Sequence, residues 1–350
     1  MRIAAMAFSI LIGLTLNAAS APPAPKVEIA TDGIFAAFQK RPLVGLGEWH
    51  GLAQMMDFYA VLLRDPRFSR DVGNIVLEVG DAAQQSVVDR YVNGEYVPYG
   101  ELRKVWADTV GWFPTVTQAG SINIYSTIRD VNMKLPPEQR IKVWLGEPPI
   151  DWANIKAKAE WEVLERQRDS YPAELINREI MSKGKKALVI YGVGHMGLYL
   201  GYDNLRTRLE ALHPGALFVV TPYVGYGPKD CAARFERHIK GWPVPSLVSP
   251  IKGSALEADI WRKGCNFFIR PADLAEAAYD ASGPNNLGLN SDALLYLGPR
   301  KELVNGPRDL DVMLDLDFRA EMDRRMILRT GKPMGPSDTA GNVPKPYFAD

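Results

Sequence analysis

The sequence predicts an α/β fold, in which a central, mainly parallel sheet is flanked by helices and followed by a loop-rich C-terminal part. Short apolar runs without polar alternation, typical of strands buried on both faces, alternate along the chain with segments of helical periodicity. A strand–GxxH–helix–strand unit also occurs twice, which indicates a duplicated half-domain. The 350 residues, 47% of them hydrophobic, are enough to build one complete core.

The first 21 residues are expected to be a secretory signal peptide. Arg2 gives a positive start, residues 3–16 are almost wholly apolar, and a small-x-small pattern ends at Ala21, as signal peptidase prefers. The apolar run is shorter than the ~20 residues that span a bilayer, so cleavage after Ala21 is favoured over a membrane anchor. The mature protein is therefore expected in the periplasm or outside the cell. No later segment is predicted to span a membrane.

Apolar runs mark the strands of the first half, and apolar residues at helical spacing mark its helices. The strands are expected at residues 42–46, 74–79 and 140–146. The helices are expected at residues 52–63, 81–91, 96–110 and 122–132. Strands and helices thus follow one another in the order that parallel sheets require.

The second half begins with a charge-rich segment, residues 153–183, which is predicted to be mostly helical with a break at Pro172. A strand at 187–191, a helix at 198–212 and strands at 216–221 and 293–297 follow, with long loops and short helices over 222–290. Aspartates alternate with apolar residues over 309–317, which we interpret as a solvated strand edge rather than a calcium site. Residues 22–325 are expected to form a single domain and residues 326–350 a tail rich in proline and glycine.

Charge and cysteine content narrow the function. The 41 basic and 41 acidic residues balance, which argues against a nucleic-acid-binding protein. Two cysteines are too few for a thiolate zinc cage. In an exported protein Cys231 and Cys265 would form a disulfide or remain as two buried thiols, and the sequence leaves both alternatives open.

The repeated unit places two of the four histidines at equivalent positions. Residues 41–50 read RPLVGLGEWH and residues 186–195 read KALVIYGVGH, so His50 and His195 each follow the end of a buried strand. Ligands of open α/β sheets bind beyond the carboxyl ends of the strands. If these two strands are neighbours, both imidazoles will lie in one crevice.

Three carboxylates are expected near the same edge. Glu78 ends the strand at 74–79, Glu48 shares the loop of His50, and Glu147 follows the strand at 140–146. A carboxylate inside an apolar strand costs several kcal/mol unless it is bound by something, which makes Glu78 a functional candidate. Two histidines with these carboxylates predict a metal or acid–base site, with Glu147 as an additional candidate.

At these residues the sequence resembles the superfamily of erythromycin esterases, ChaN-like haem-uptake proteins and TIKI/TraB-type metalloproteases. Residues 47–50 (GEWH) resemble the GExH motif of the ChaN-like branch, Glu78 the family's strand-end glutamate, and residues 192–195 (GVGH) its second GxxH motif. Residues 128–132 and 140–143 are similar to the esterase helix and strand that carry an arginine and an asparagine. The matching order covers residues 41 to about 225, so residues 22–325 are expected to be an erythromycin esterase/ChaN-like domain.

The sequence departs from each branch. The esterases have one more residue between the glutamate and histidine of the first motif, and a histidine in the second motif where this chain has Gly192. ChaN-like proteins are typically lipoproteins, and this chain has no cysteine near the cleavage site for lipid attachment. The resemblance therefore implies no particular substrate.

An exported hydrolase of esters, lactones or peptides is the leading hypothesis. In a metal-dependent version, His50, Glu78 and His195 would hold manganese, zinc, cobalt or iron, and Glu48 would take a proton from the metal-bound water. Arg129 would stabilise the oxyanion in this hypothesis. In a metal-free version, His50 would activate water directly, oriented by Glu48 or Glu78.

Two further hypotheses remain open. The ChaN-like resemblance implies a haem- or iron-binding protein without turnover, in which His50 or nearby tyrosines would ligate the iron. A degenerate fold kept for structural binding would need neither metal nor haem.

Overall fold

The computed structural model describes residues 22–111, 119–197, 203–224, 233, 235–260, 291–307 and 311–335. In these ranges the strands are β1 (Lys26–Ile29), β2 (Leu43–Glu48), β3 (Asn74–Asp81), β4 (Lys142–Glu147), β5 (Ala187–Gly192), β6 (Leu217–Pro222), β7 (Ser246–Ser249) and β8 (Ala293–Tyr296). They form one sheet in the order β1-β7-β8-β6-β2-β5-β3-β4. Only the pairs that include β7 are antiparallel among the strands described, so the predicted, mainly parallel α/β sheet is confirmed.

The helices connect and cover these strands. They are α1 (Ala30–Phe38), α2 (Ala53–Arg64), α3 (Pro66–Asp71), α4 (Gln85–Val92), α5 (Tyr99–Leu102), α6 (Lys104–Ala107), α7 (Ala119–Asn132), α8 (Lys158–Glu165), α9 (Ser170–Glu179), α10 (Val193–Met196), α11 (Leu205–Leu212), α12 (Ala255–Ile260), α13 (Asp311–Leu314) and α14 (Leu316–Thr330). Both predicted repeats are present, as β2–α2–β3 and as β5–α10–α11–β6.

Both faces of the central strands are covered, and this explains their apolar sequences. All six residues of β2 and all six of β5 are buried. On one face the alternate residues Val44 and Leu46 pack with α1, α2, α4 and α7. On the other face Leu43 and Val189 pack with α9 and α11. Each strand therefore contributes apolar side chains in both directions, and no polar alternation develops.

Several predicted elements differ from the observed ones. The helix expected at 96–110 is two short helices, α5 and α6, and residues 309–317 include α13 and the start of α14 rather than a strand edge. Two aspartates of this segment pair with Arg103, which lies 3.1 Å from Asp311 and 2.8 Å from Asp315. Two elements that the sequence analysis missed, β1 and α1, precede β2. Helix α14 continues through the expected boundary at residue 326 to Thr330.

Some predictions fall on residues outside the described ranges. They include the signal peptide over residues 1–21, Cys231, Cys265, and the tail from residue 336 onward. Within the described ranges, no helix has both the length and the hydropathy that crossing a membrane requires.

Candidate active site

The two repeated motifs meet because β2 and β5 are neighbours. Their parallel register pairs Gly47 with Tyr191 and Glu48 with Gly192, so both strands end at the same level. His50 follows β2 by two residues, and His195 lies on the short helix α10 after β5. The sequence prediction that both histidines share the carboxyl edge of the sheet agrees with this arrangement.

Backbone contacts hold the turn that carries His50. Gly51 has a φ of 89°, a conformation that glycine adopts without strain. Its carbonyl accepts a 2.7 Å hydrogen bond from the Gly306 N–H, and Leu52 forms an isolated bridge with Asn305. The segment after β8 therefore fixes where the His50 side chain lies.

His50 is paired with Glu48. The imidazole Nδ1 lies 3.7 Å from Glu48 Oε2, with 23% of the His50 side chain and 5% of the Glu48 side chain exposed. Burial lowers the pKa of His50, but the interaction with Glu48 and the charge of Glu78 outweigh this effect and raise the pKa from 6.5 to about 9. His50 is therefore protonated at neutral pH and stores a proton beside a carboxylate.

His195 lies between two carboxylates. Its Nδ1 is 2.6 Å from Asp169 Oδ1, and its Nε2 is 3.4 Å from Glu78 Oε1. Asp169 is held in place because Oδ1 also accepts a 2.7 Å hydrogen bond from the Leu205 N–H. Burial lowers the pKa of His195, but Glu78 and Asp169 outweigh burial and raise the pKa to about 10. His195 is consequently an imidazolium at neutral pH.

Arg168 connects Glu78 with Glu147. Its Nη2 donates to Glu78 Oε1 at 2.6 Å and its Nε donates to Glu147 Oε1 at 2.7 Å. Burial raises the pKa of Glu78, but His195, His50 and Arg168 outweigh burial and hold the pKa well below its usual range. For Glu147 burial dominates, and its pKa is raised. Glu78 is thus the firmly ionised carboxylate of the site.

Gly192 leaves space between His50 and Glu78. Its N–H donates to Glu78 Oε2 at 2.5 Å. A β-carbon at this position would lie 3.2 Å from His50 Nε2 and 3.3 Å from Glu78 Oε2, which is tighter than ordinary van der Waals contact. The glycine therefore keeps a side chain out of the gap between these two groups.

The predicted metal ligands His50, Glu78 and His195 take part in a network of ion pairs in this structure. Both oxygens of Glu78 already accept hydrogen bonds, Oε1 from Arg168 and Oε2 from a backbone N–H. Within the part of the chain that the structure describes, no three or more His, Cys, Asp or Glu side chains are grouped to hold a metal. Arg168 already contributes a positive charge next to Glu78, and this charge would repel a divalent cation at the same carboxylate.

Arg129, the expected oxyanion group, lies elsewhere. Its guanidinium donates to the backbone carbonyls of Tyr91, Gly94 and Glu95, and it therefore supports the turn after α4. Nearby on α7, Asn132 hydrogen-bonds both backbone groups of Ile141, just before β4 begins. This is the amino edge of the sheet, and six residues of strand at ~3.3 Å each separate it from the edge with the histidines.

Sequence reasoning missed Arg168 and Asp169, which lie in the turn between α8 and α9. Both belong to the charge-rich segment 153–183, which is predicted to be mostly helical and in which no site residue is expected. The only sequence signal is local: residues 165–170 (ERQRDS) concentrate charge at the boundary of two helical patterns. The pairing with Glu78 and His195 depends on the tertiary structure.

No protein-family model matches the chain, and no curated protein matches its sequence. Among solved structures it is similar to a Bacillus cereus protein, at 11% identity and a TM-score of 0.49, over 78% of this chain and 94% of that one. It is also similar to a mutant of the erythromycin esterase EreC in its open conformation, at 12% identity and a TM-score of 0.49, over 78% and 98% of the chains. A third is ChaN of Campylobacter jejuni with cofacially bound haem, at 11% identity and a TM-score of 0.36, over 58% and 92%. The erythromycin esterase and ChaN come from the groups that the motifs around His50 and His195 resemble.

Proposed function

We propose that this chain is an exported hydrolase that cleaves esters, lactones or peptides by acid–base catalysis, with His50 as the group that moves the proton. The observation that carries the proposal is the convergence of two imidazoles, each paired with its own carboxylate, at the carboxyl edge of neighbouring strands. Perturbed titratable groups in a crevice at this edge of an α/β sheet are typical of a catalytic site.

In its neutral form, His50 is suited to take a proton from an attacking water molecule. Glu48 beside Nδ1 stabilises the imidazolium that results, and Nε2 faces the gap that Gly192 leaves open. Because the pKa of His50 is about 9, the basic form becomes more abundant as the pH rises from 7 to 9. The same imidazolium can then return its proton to the leaving group.

His195 and Arg168 supply the positive charge of the site. His195 is fixed by Asp169, and Arg168 is fixed by Glu78 and Glu147. Arg168 stays charged while His50 titrates, because an arginine does not deprotonate in this range. His195, with a pKa of about 10, is the second positive group at neutral pH. Fixed positive groups of this kind stabilise the negative charge that develops on a carbonyl oxygen during hydrolysis.

The proposal is tested with the mature protein and a panel of p-nitrophenyl esters, lactones and short peptides. For a substrate that is hydrolysed, His50→Ala is expected to lower kcat by about 100-fold or more, and treatment with a chelator is expected to leave kcat unchanged. His213→Ala is the matched control, since His213 precedes β6 at the opposite edge and contacts Asn177. Full activity of a folded His50→Ala protein would contradict the proposal.

A haem titration of the same proteins separates the proposal from the haem-binding alternative. The hydrolase hypothesis predicts no Soret shift that depends on His50. A stoichiometric Soret shift that His50→Ala removes, together with no turnover on the panel, would favour the alternative. Export is tested separately, by fractionating cells and by sequencing the mature N-terminus, which is expected at residue 22.

A further inference from the structure

A small cavity lies behind Glu48 and Glu78, on the face of the sheet that α2 and α7 cover. Its walls include both glutamates, Tyr59 of α2 and Tyr125 of α7. The cavity volume is 10 Å³, which is the room of about one water molecule. A cavity of this size holds a water molecule only if polar groups line it.

The hydroxyl of Tyr59 is one such polar group. Tyr59 is 1% exposed, and its hydroxyl has no hydrogen-bond partner among the described residues. Tyr59 lines the same cavity as Glu48 and Glu78, and the charges of the two glutamates act on its hydroxyl. By contrast, Tyr125 donates its hydroxyl proton to the carbonyl of Val79. Burying a hydroxyl without a partner costs about 1–3 kcal/mol, so a missing partner for Tyr59 is expected.

Glu48 also lines this cavity. Its side chain is 5% exposed, and its carboxylate forms an ion pair with His50 at 3.7 Å. A buried carboxylate needs hydrogen bonds to remain ionised at low cost. The cavity is the place from which Glu48 can receive one.

We propose that this cavity holds one water molecule, which accepts a hydrogen bond from Tyr59 and donates its two protons to Glu48 and Glu78. The water molecule then makes three hydrogen bonds, the usual number for a buried one. Its oxygen accepts from Tyr59, and each of its two protons is donated to a different glutamate. Tyr59 thereby becomes a positioning residue, which holds the Glu48 carboxylate beside His50. Only this last role rests on the proposed function.

High-resolution crystal structures of the wild type, Tyr59→Phe and Tyr125→Phe test the water site. We expect an ordered water molecule within about 3.2 Å of the three oxygen atoms in the wild type and in Tyr125→Phe, and its loss or displacement in Tyr59→Phe. An empty cavity in the wild type, or an unchanged water molecule in Tyr59→Phe, would overturn the proposal. The wild-type structure shows whether the cavity holds a water molecule even if a variant fails to fold.

The positioning role is tested by titrating the His50 imidazole by NMR. Without Tyr59 to hold it, the Glu48 carboxylate is expected to move away from the imidazole, which would lower the pKa of His50 by about 0.4–1 unit in Tyr59→Phe; Tyr125→Phe is expected to leave this pKa unchanged. A raised pKa in Tyr59→Phe, equal shifts in both variants, or none in either, would refute the role. Neither measurement needs a substrate. If the protein has no hydrolase activity but the ordered water molecule is observed, the proposed function is disproved and the water site is retained.

Discussion

The pairing of His50 with Glu48 makes a prediction that needs no substrate. Glu48→Gln removes the charge 3.7 Å from His50 Nδ1 and preserves the shape of the side chain. Coulomb's law gives about 4.5 kcal/mol for this separation at an effective dielectric constant of ~20 and about 1 kcal/mol at ~80. His50 is about a quarter exposed, so the effect lies between these values. At about 1.4 kcal/mol per pKa unit, we expect the pKa of His50 to fall by about 1–2.5 units, from about 9 towards 6.5–8.

The assay is a two-dimensional proton–carbon NMR titration of the histidine Cε1–H groups between pH 5 and 11. The chain has four histidines, so His50→Ala assigns the resonance of interest. Asp169→Asn is the matched control, because it removes the carboxylate next to His195 and should move the His195 titration instead. If hydrolysis is found, the rising limb of kcat/KM should move to lower pH by the same amount in Glu48→Gln.

Two results would refute the reasoning. His50 of the wild type would titrate at or below 6.5 if the carboxylates did not act on it, because burial lowers its pKa. A shift below about 0.3 unit in Glu48→Gln would mean that Glu48 contributes less than ~0.4 kcal/mol, and the raised pKa would then need another cause. Circular dichroism of each variant at the start and end of the titration establishes that the fold is retained.

Three further predictions concern the same site. Gly192→Ala should lower kcat/KM by at least about tenfold with little change in Tm, since its β-carbon would crowd His50; Gly194→Ala, whose β-carbon meets nothing within 4 Å, should behave as wild type. Arg168→Met should lower the free energy of unfolding by about 3–5 kcal/mol in denaturant titrations, because it leaves two buried carboxylates without their partner, and a loss below 1 kcal/mol would argue against that ion pair. The stabilisation from the raised pKa values of His50 and His195 is complete below pH 6.5 and should disappear as the pH rises through about 9 and 10. Denaturant titrations at pH 6 and pH 10 measure this loss in the wild type and in the His50→Gln/His195→Gln double variant. An equal loss of stability in both proteins would contradict the prediction.

Much of the fold could be predicted because the central strands carry their own signal. Residues 75–77 and 187–191 are apolar throughout, and this pattern is typical of strands covered on both faces. The elements at the margin lacked such a signal: β1 is a four-residue strand of mixed burial that pairs with β7, more than 200 residues later. The alternation of aspartates and apolar residues over 309–317 predicted a strand edge, whereas Asp311 and Asp315 belong to helical segments and pair with Arg103.

The sequence by itself determined that the two histidines follow the ends of buried strands and that Glu78 lies near the end of another. The end of a strand and the glycine near it are local properties of the chain. Two facts were decided only by the tertiary structure. The neighbouring placement of β2 and β5 brings the histidines together. Arg168 lies 90 residues from Glu78 and Asp169 lies 26 residues from His195, and these two residues complete the charges of the site. The burial of these charges sets their pKa values, and burial arises only when distant segments pack. The sequence therefore identifies the candidate titratable residues, while the packing of distant segments decides which of them are protonated at neutral pH.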